Sequence, residues 1–187
     1  DMNTTVEDMN YIRQETSHVC GSSKITGGSG DPSPVTAWGT YHGIRACLEV
    51  YYGSPDVRGR KIAIQGIGSV GYHLAKFLHE GGANLLFSDI SKKKLQQAVA
   101  EFGGEILEQE EFYSADCDVL APCAIGGIIN RHTIPKLRAP IIAGAALKGP
   151  ADRLLIETGH EASHDEAQSR SCELDKRFSH RCVDNLF

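Results

Sequence analysis

Short apolar runs and amphipathic stretches take turns along this 187-residue chain. Ile62-Ala63-Ile64 has the length and β-branched content of a buried strand. Val70, Leu74, Phe77 and Leu78 then recur at helical spacing, which predicts a helix burying that face, stopped by Gly81-Gly82. Residues 85–88 read as a second strand. A further helix is expected from about 92 to 102, with Ser91 as N-cap. Ile106-Leu107 predicts a short strand, 117–120 a fourth, 132–137 a short helix and 141–143 another strand.

Upstream, Thr4 and Glu7 read as a capping box opening a helix to about residue 18, with Val6, Met9, Tyr11 and Ile12 on its apolar side. Residues 21–34 turn to Gly, Ser and Pro and form a loop long enough to be functional. Pro34 starts a second helix over about 35–52, with Trp38, Tyr41, Ile44, Leu48 and Val50 available for burial. Residues 53–59 make a polar turn. After Leu154-Leu155-Ile156 the chain is dominated by charged residues, His and Ser. That predicts either one or two surface helices or a poorly ordered segment.

Strands alternating with helices indicate parallel βαβ units. The fold class is therefore α/β: a Rossmann-type doubly wound, mostly parallel sheet with a helical lead-in and an atypical polar tail. The expected organisation is a lead-in over 1–53, a dinucleotide-binding domain over 54–146 and the tail over 147–187.

The candidate chemistry lies between the first two central strands. Gly66, Gly68 and Gly71 stand at the spacing G-x-G-x-x-G, and Asp89 follows a little over 20 residues past Gly66. Gly66 permits a tight turn off the strand. Gly68 leaves room for a pyrophosphate, and Gly71 lets the helix pack closely on the strand. The helix start, at Ser69 and Val70, offers free N–H groups and partial positive charge to phosphates. Asp89 accepts hydrogen bonds from ribose hydroxyls and repels a 2′-phosphate, so the expected cofactor is NAD rather than NADP. The small-residue stretches at Ala124-Ile125 and Gly144-Ala145 form loops at the carboxyl edge of the sheet, where α/β ligands bind.

Composition narrows the partners. The net charge is −5 and no long basic run occurs, so nucleic acid is not expected. Lys92-Lys93-Lys94 reads as a solvated helix start. No apolar run reaches the roughly 18 residues of a membrane span. The six cysteines form no C-x-x-C pair and no signal peptide opens the chain, which suits free thiols in a reducing, cytoplasmic setting. His160, His164, Cys172, His180 and Cys182 match no standard zinc spacing, and no metal is expected.

Several motifs together resemble a known family. DMNTTVEDMNYIRQET, DPSPVTAWGTYHGIRA, QGIGSVGYHLAKFLHEGGANL, SDI, YSADCDVLAPCAIGGIIN and IIAGAA follow the order seen in the glutamate, leucine, phenylalanine and valine dehydrogenases, with the leucine branch nearest. The likeness covers about residues 1–146. It implies reversible oxidative deamination of an L-amino acid, with branched-chain preference, to a 2-oxo acid and ammonium. It also implies a homo-oligomer when full length. The resemblance places a catalytic, proton-exchanging aspartate at Asp1 and a nicotinamide-carboxamide contact at Thr36. It places the cofactor glycines at Gly66, Gly68 and Gly71 and the ribose acid at Asp89. Ala124, Ile125, Gly144 and Ala145 fall on the nicotinamide side.

Two departures stand out. Nothing matches the family's glycine-rich loop with its general-base lysine, which lies upstream of the Asp1 motif. After Gly144-Ala145-Ala146 the family continues with Asn-Asn, whereas Leu147-Lys148 stand here. A fragment, an aberrant reading frame or a diverged paralogue each explains this. The alternatives to a dehydrogenase are an NAD-binding module without catalysis and an interaction protein that keeps only the fold.

Overall fold

The computed structural model describes residues 4–146. Asp1, Leu147-Lys148, the polar tail and its histidines and cysteines lie outside the described residues. Residues 4–125 and 136–146 form one compact unit, and Gly126–Pro135 belong to a second.

Five strands build one parallel sheet: β1 (Lys61–Gln65), β2 (Asn84–Ser88), β3 (Glu105–Ile106), β4 (Val119–Pro122) and β5 (Ile141–Ile142). Their order is β3-β2-β1-β4-β5, so the chain reverses direction across the sheet between β1 and β4. Ligands of doubly wound sheets bind at such a reversal, beyond the carboxyl ends of the strands.

Side chains alternate between the two faces of the sheet, as strand geometry requires. Ile62, Ile64, Leu85, Phe87, Val119 and Ala121 join one core with the helices. Ala63 and Leu120 join the other, with Phe112, Ala115 and Cys117. Three helices cover the first face: α2 (Ser33–Tyr52), α3 (Ser69–Glu80) and α4 (Lys92–Phe102). Ile44 and Leu48 of α2 and Leu74 and Leu78 of α3 are fully buried in this core.

The helices α2 and α3 run side by side in the same direction. Trp38 meets Phe77 with ring centroids 5.1 Å apart, and Tyr41 meets Phe77 at 6.1 Å. One turn further along α3, the Tyr41 hydroxyl lies 3.3 Å from where a side chain on Gly81 would begin. Both helix N-termini therefore point to the same end of the unit.

The opposite end is fastened by Asp118. Its carboxylate accepts from the Lys61 N–H at 2.8 Å and from Arg60 Nη1 at 3.3 Å. It also accepts from the Tyr52 hydroxyl, and the Arg60 guanidinium lies over the Tyr52 ring, 3.8 Å from its centroid. Burial raises the Asp118 pKa, but these hydrogen bonds and the Arg60 charge outweigh it and hold the carboxyl below its ordinary value. Tyr52 is pushed up to about 12, by desolvation first and then by its bond to Asp118.

The first helix, α1 (Val6–Glu15), corrects the sequence expectation. Its capping box is one residue further on: Thr5 is the N-cap, its hydroxyl accepts from the Asp8 N–H at 3.2 Å, and Asp8 Oδ2 accepts from the Thr5 N–H at 2.7 Å. T-x-x-D serves here in place of T-x-x-E. No residue of α1 is buried and Tyr11 is 64% exposed; of the expected apolar side, Met9 lies over Gly21, its Cγ 3.4 Å from where a side chain there would begin. The expected helix near 132–137 is a single 3-10 turn, Ile134–Lys136. Within the second unit, Asn130 organises the chain: its Nδ2 donates to the Gly127 carbonyl at 3.0 Å and its Oδ1 accepts from the His132 N–H at 2.9 Å.

Candidate cofactor site

The turn from β1 into α3 carries the three spaced glycines, and each meets a different constraint. Gly66 has φ +91°, the left-handed region that disfavours side chains. A Cβ there would also lie 2.7 Å from the Ala124 N, so the β1 and β4 loops touch at this point. A Cβ on Gly71 would collide with the Gly66 carbonyl oxygen. Gly68 differs: it caps α3 with φ −81°, and a Cβ there would meet nothing within 4 Å. The space in front of Gly68 is open. The first N–H groups of α3 have no side-chain cap. Open space over uncapped helical N–H groups is the geometry that receives phosphate oxygens.

Asp89 stands at the end of β2, beside this turn. Its Oδ2 accepts from the Ile67 N–H at 2.6 Å and its Oδ1 from the Ser91 N–H at 2.7 Å. The sequence pointed to Asp89 as a ligand for ribose hydroxyls; its contact with the glycine loop itself was not legible there. A groove of about 510 Å³ lies alongside, between α3 and α4, with Ile67, Tyr72, Lys94, Gln97 and Glu101 on its walls.

The remaining loops converge at the same edge. Cys123 N–H donates to the Gln65 carbonyl at 2.7 Å, and Ala146 N–H donates to the Pro122 carbonyl at 2.8 Å. A Cβ on Gly144 would run into Pro122, which explains a glycine at that position. Burial pushes the Cys123 thiol up to about 11, offset in part by the Ala145 N–H directed at its sulfur, so the thiol stays neutral. Ile125 is 67% exposed, an apolar side chain left open on the carboxyl edge. Beneath the edge, Gln65 Oε1 and Ser88 Oγ are buried without a hydrogen-bond partner among the described residues. No pattern of residue types announces that pair.

Thr36 lies in the first turn of α2, exposed, its hydroxyl donating to the Pro32 carbonyl at 3.1 Å. Two residues on, Trp38 packs against Phe77 in the C-terminal half of α3. Asp31, just before α2, accepts from the Ser33 N–H at 2.8 Å. Those Ser33 bonds, with a smaller contribution from His73 of α3, hold its carboxyl below the ordinary value. Asp1 lies outside the described residues. Among the described residues no cluster of His, Cys, Asp or Glu could hold a metal ion, and no helix is long and apolar enough to cross a membrane.

A parallel sheet reversing beside an open glycine turn defines a Rossmann-type α/β unit of the dehydrogenase kind. Residues 27–91 match the family described as Glutamate/Leucine/Phenylalanine/Valine dehydrogenase. Leucine dehydrogenase from Bacillus subtilis is 49% identical over 160 residues, covering 86% of this chain and 43% of that protein. L-tryptophan dehydrogenase from Nostoc punctiforme is 46% identical over 146 residues, 78% of this chain and 40% of that protein. The crystal structure of the Nostoc punctiforme L-tryptophan dehydrogenase superposes with a TM-score of 0.64 at 41% identity, over 68% of this chain and 40% of that one. A hetero-hexameric glutamate dehydrogenase from Thermus thermophilus shares the fold, with a TM-score of 0.64 at 19% identity, over 85% of this chain and 44% of that one. The chain belongs to the glutamate/leucine/phenylalanine/valine dehydrogenase family. It spans less than half the length of the relatives it matches.

Proposed function

We propose that this chain supplies the NAD-holding part of an amino-acid dehydrogenase that oxidatively deaminates an L-amino acid, leucine or another branched-chain one, to a 2-oxo acid and ammonium. The observation that carries the reading is the open space at Gly68 over the uncapped N-terminus of α3, with Asp89 beside it. Residues 54–146 form the cofactor domain in this reading, and 1–53 lead into it.

The residues fit the cofactor part by part. Gly68, Ser69, Val70 and Gly71 hold the pyrophosphate through backbone N–H groups and the positive end of α3, and Gly66, whose own N–H donates to the Ser88 carbonyl, makes the turn that sets them there. Asp89 takes the adenosine ribose and disfavours a 2′-phosphate. Thr36 holds the carboxamide, and Ala124, Ile125, Gly144 and Ala145 flank the nicotinamide with small or apolar surface that keeps water out. When bound there, the nicotinamide supplies hydride chemistry at the α-carbon of the amino acid. Asp1 exchanges protons with the amino group. No residue of the chain corresponds to the family's lysine-bearing loop, so this stretch receives the cofactor and not the base that activates water.

Free thiols at Cys20, Cys47, Cys117 and Cys123 suit the cytoplasm, and we assign the whole protein to a homo-oligomer acting there. A second reading, an NAD-binding module without catalysis, is favoured by Leu147-Lys148 standing where the family has Asn-Asn. NADH formation by the purified chain on addition of L-leucine, L-phenylalanine or L-tryptophan eliminates the second reading.

A further inference from the structure

We infer that Asp89 shapes the glycine loop before any cofactor arrives, and so acts as a positioning residue for the pyrophosphate as well as a ribose acceptor. Only its second part rests on the cofactor reading above. The β1–β2 ladder ends at the pair Gln65 and Ser88. One residue further, the Gly66 N–H still donates to the Ser88 carbonyl, at 2.8 Å. The next N–H, that of Ile67, has turned away from the backbone of β2, and Asp89 Oδ2 takes it at 2.6 Å. The side chain at position 89 thus prolongs the ladder into the loop by one bond. Its other oxygen holds the Ser91 N–H at 2.7 Å, which fixes the turn from β2 into α4 and stops the carboxylate from rotating away.

This matters for binding because the following residue is Gly68. With Ile67 pinned and its side chain only 5% exposed, the peptide leading into Gly68 has one orientation. That orientation leaves the front of Gly68 open and starts α3 where its N–H groups face outward. An ionised acceptor makes a stronger bond than a neutral one, so a carboxylate suits this post better than an amide or hydroxyl. Without it the Ile67 N–H has no partner in a mostly buried turn, and the loop must rearrange to find one.

The two roles of Asp89 separate by removing atoms from the ligand. The full chain and its Asp89→Ala variant are titrated with ADP and with 2′,3′-dideoxy-ADP, which has no ribose hydroxyls at those positions. Amide hydrogen exchange at Ile67 is followed in both, without nucleotide and at matched global stability. Expected are exchange at Ile67 at least about tenfold faster in Asp89→Ala, and a loss of about tenfold in affinity for dideoxy-ADP itself, the equivalent of one lost hydrogen bond. Unchanged exchange at Ile67 overturns the inference. Equal dideoxy-ADP affinity in the two proteins, with ADP alone weakened, also overturns it and leaves the cofactor reading standing. Binding of neither nucleotide to the unaltered chain removes the cofactor reading, and Ile67 exchange then decides the loop by itself. Asp89→Asn, which keeps one acceptor, carries the same comparison if Asp89→Ala does not fold, with an intermediate loss expected.

Discussion

A side chain on Gly71 would run into the carbonyl oxygen of Gly66. The first turn of α3 lies directly on the turn that leaves β1, and the absence of a Cβ lets it do so. The three spaced glycines are therefore not equivalent. Gly66 and Gly71 are required by the protein's own packing, whereas Gly68 faces open space.

That difference is measurable. Gly71→Ala is expected to destabilise by about 1–3 kcal/mol, because a backbone atom must give way. Gly66→Ala is expected to cost at least as much, since strain at its positive φ adds to the clash with Ala124. Gly68→Val should shift stability by no more than about 0.5–1 kcal/mol while abolishing NADH binding. Urea denaturation and an NADH titration of the three variants check this. Loss of fold in Gly68→Val, or unimpaired binding by it, would refute the assignment of the open space.

The lead-in helix shares its core with the sheet. Ile44→Ala should cost about 2–5 kcal/mol, because Ile44 is fully buried against the same cluster as Ile62 and Phe87. Trp38→Ala should cost less, since Trp38 is 50% exposed. A truncation keeping only 54–146 should lose cooperative unfolding, which circular dichroism reports. A stable, cooperative 54–146 fragment would show that α2 is an appendage.

The carboxylate of Asp118 gives the unit a defined pH response. A carboxyl held below its ordinary value of 3.8 contributes stability that is complete above that value. The contribution is lost as pH falls below 3.8 and through the lower folded value. Tyr52 has the opposite sign: raised to about 12, it contributes below its ordinary value of 10 and loses that contribution as pH rises from 10 to about 12. Asp118→Asn should destabilise the chain by about 1–3 kcal/mol at pH 7 and flatten the acid limb of the stability profile. Tyr52→Phe should flatten the alkaline limb. Parallel profiles for the variants and the unaltered chain would contradict the role given to this cluster.

Much of the architecture was legible because periodicity is written in apolar residues. The run Ile62-Ala63-Ile64 lies inside β1, and the spaced Leu74, Phe77 and Leu78 lie on α3. Ser91 caps α4 as expected. The misses come where side-chain hydrogen bonding decides. Thr4 and Thr5 are chemically alike, and only the reach of Asp8 fixes the cap at Thr5. The T-x-x-E pattern at Thr4 and Glu7 predicts Glu as the capping partner, and Asp8 takes that place. The helical periodicity of Val6, Met9 and Ile12 describes a face but not how much of it is covered: Met9 lies over Gly21, while Ile12 is 45% exposed. The glycine spacing announced the loop. The bond from Ile67 N–H to Asp89 needs backbone geometry, and no pattern of residue types carries it. The same holds for Asp118, whose three donors come from the end of α2 and the start of β1.

The most direct measurement is an NADH titration of the purified chain, following the fluorescence of its only tryptophan. Trp38 is two residues past Thr36, the proposed carboxamide contact, and half exposed beside Phe77. Saturable quenching that NAD reverses more effectively than NADP is the expected result. A folded chain whose Trp38 emission stays unchanged at every NADH concentration would contradict the cofactor site.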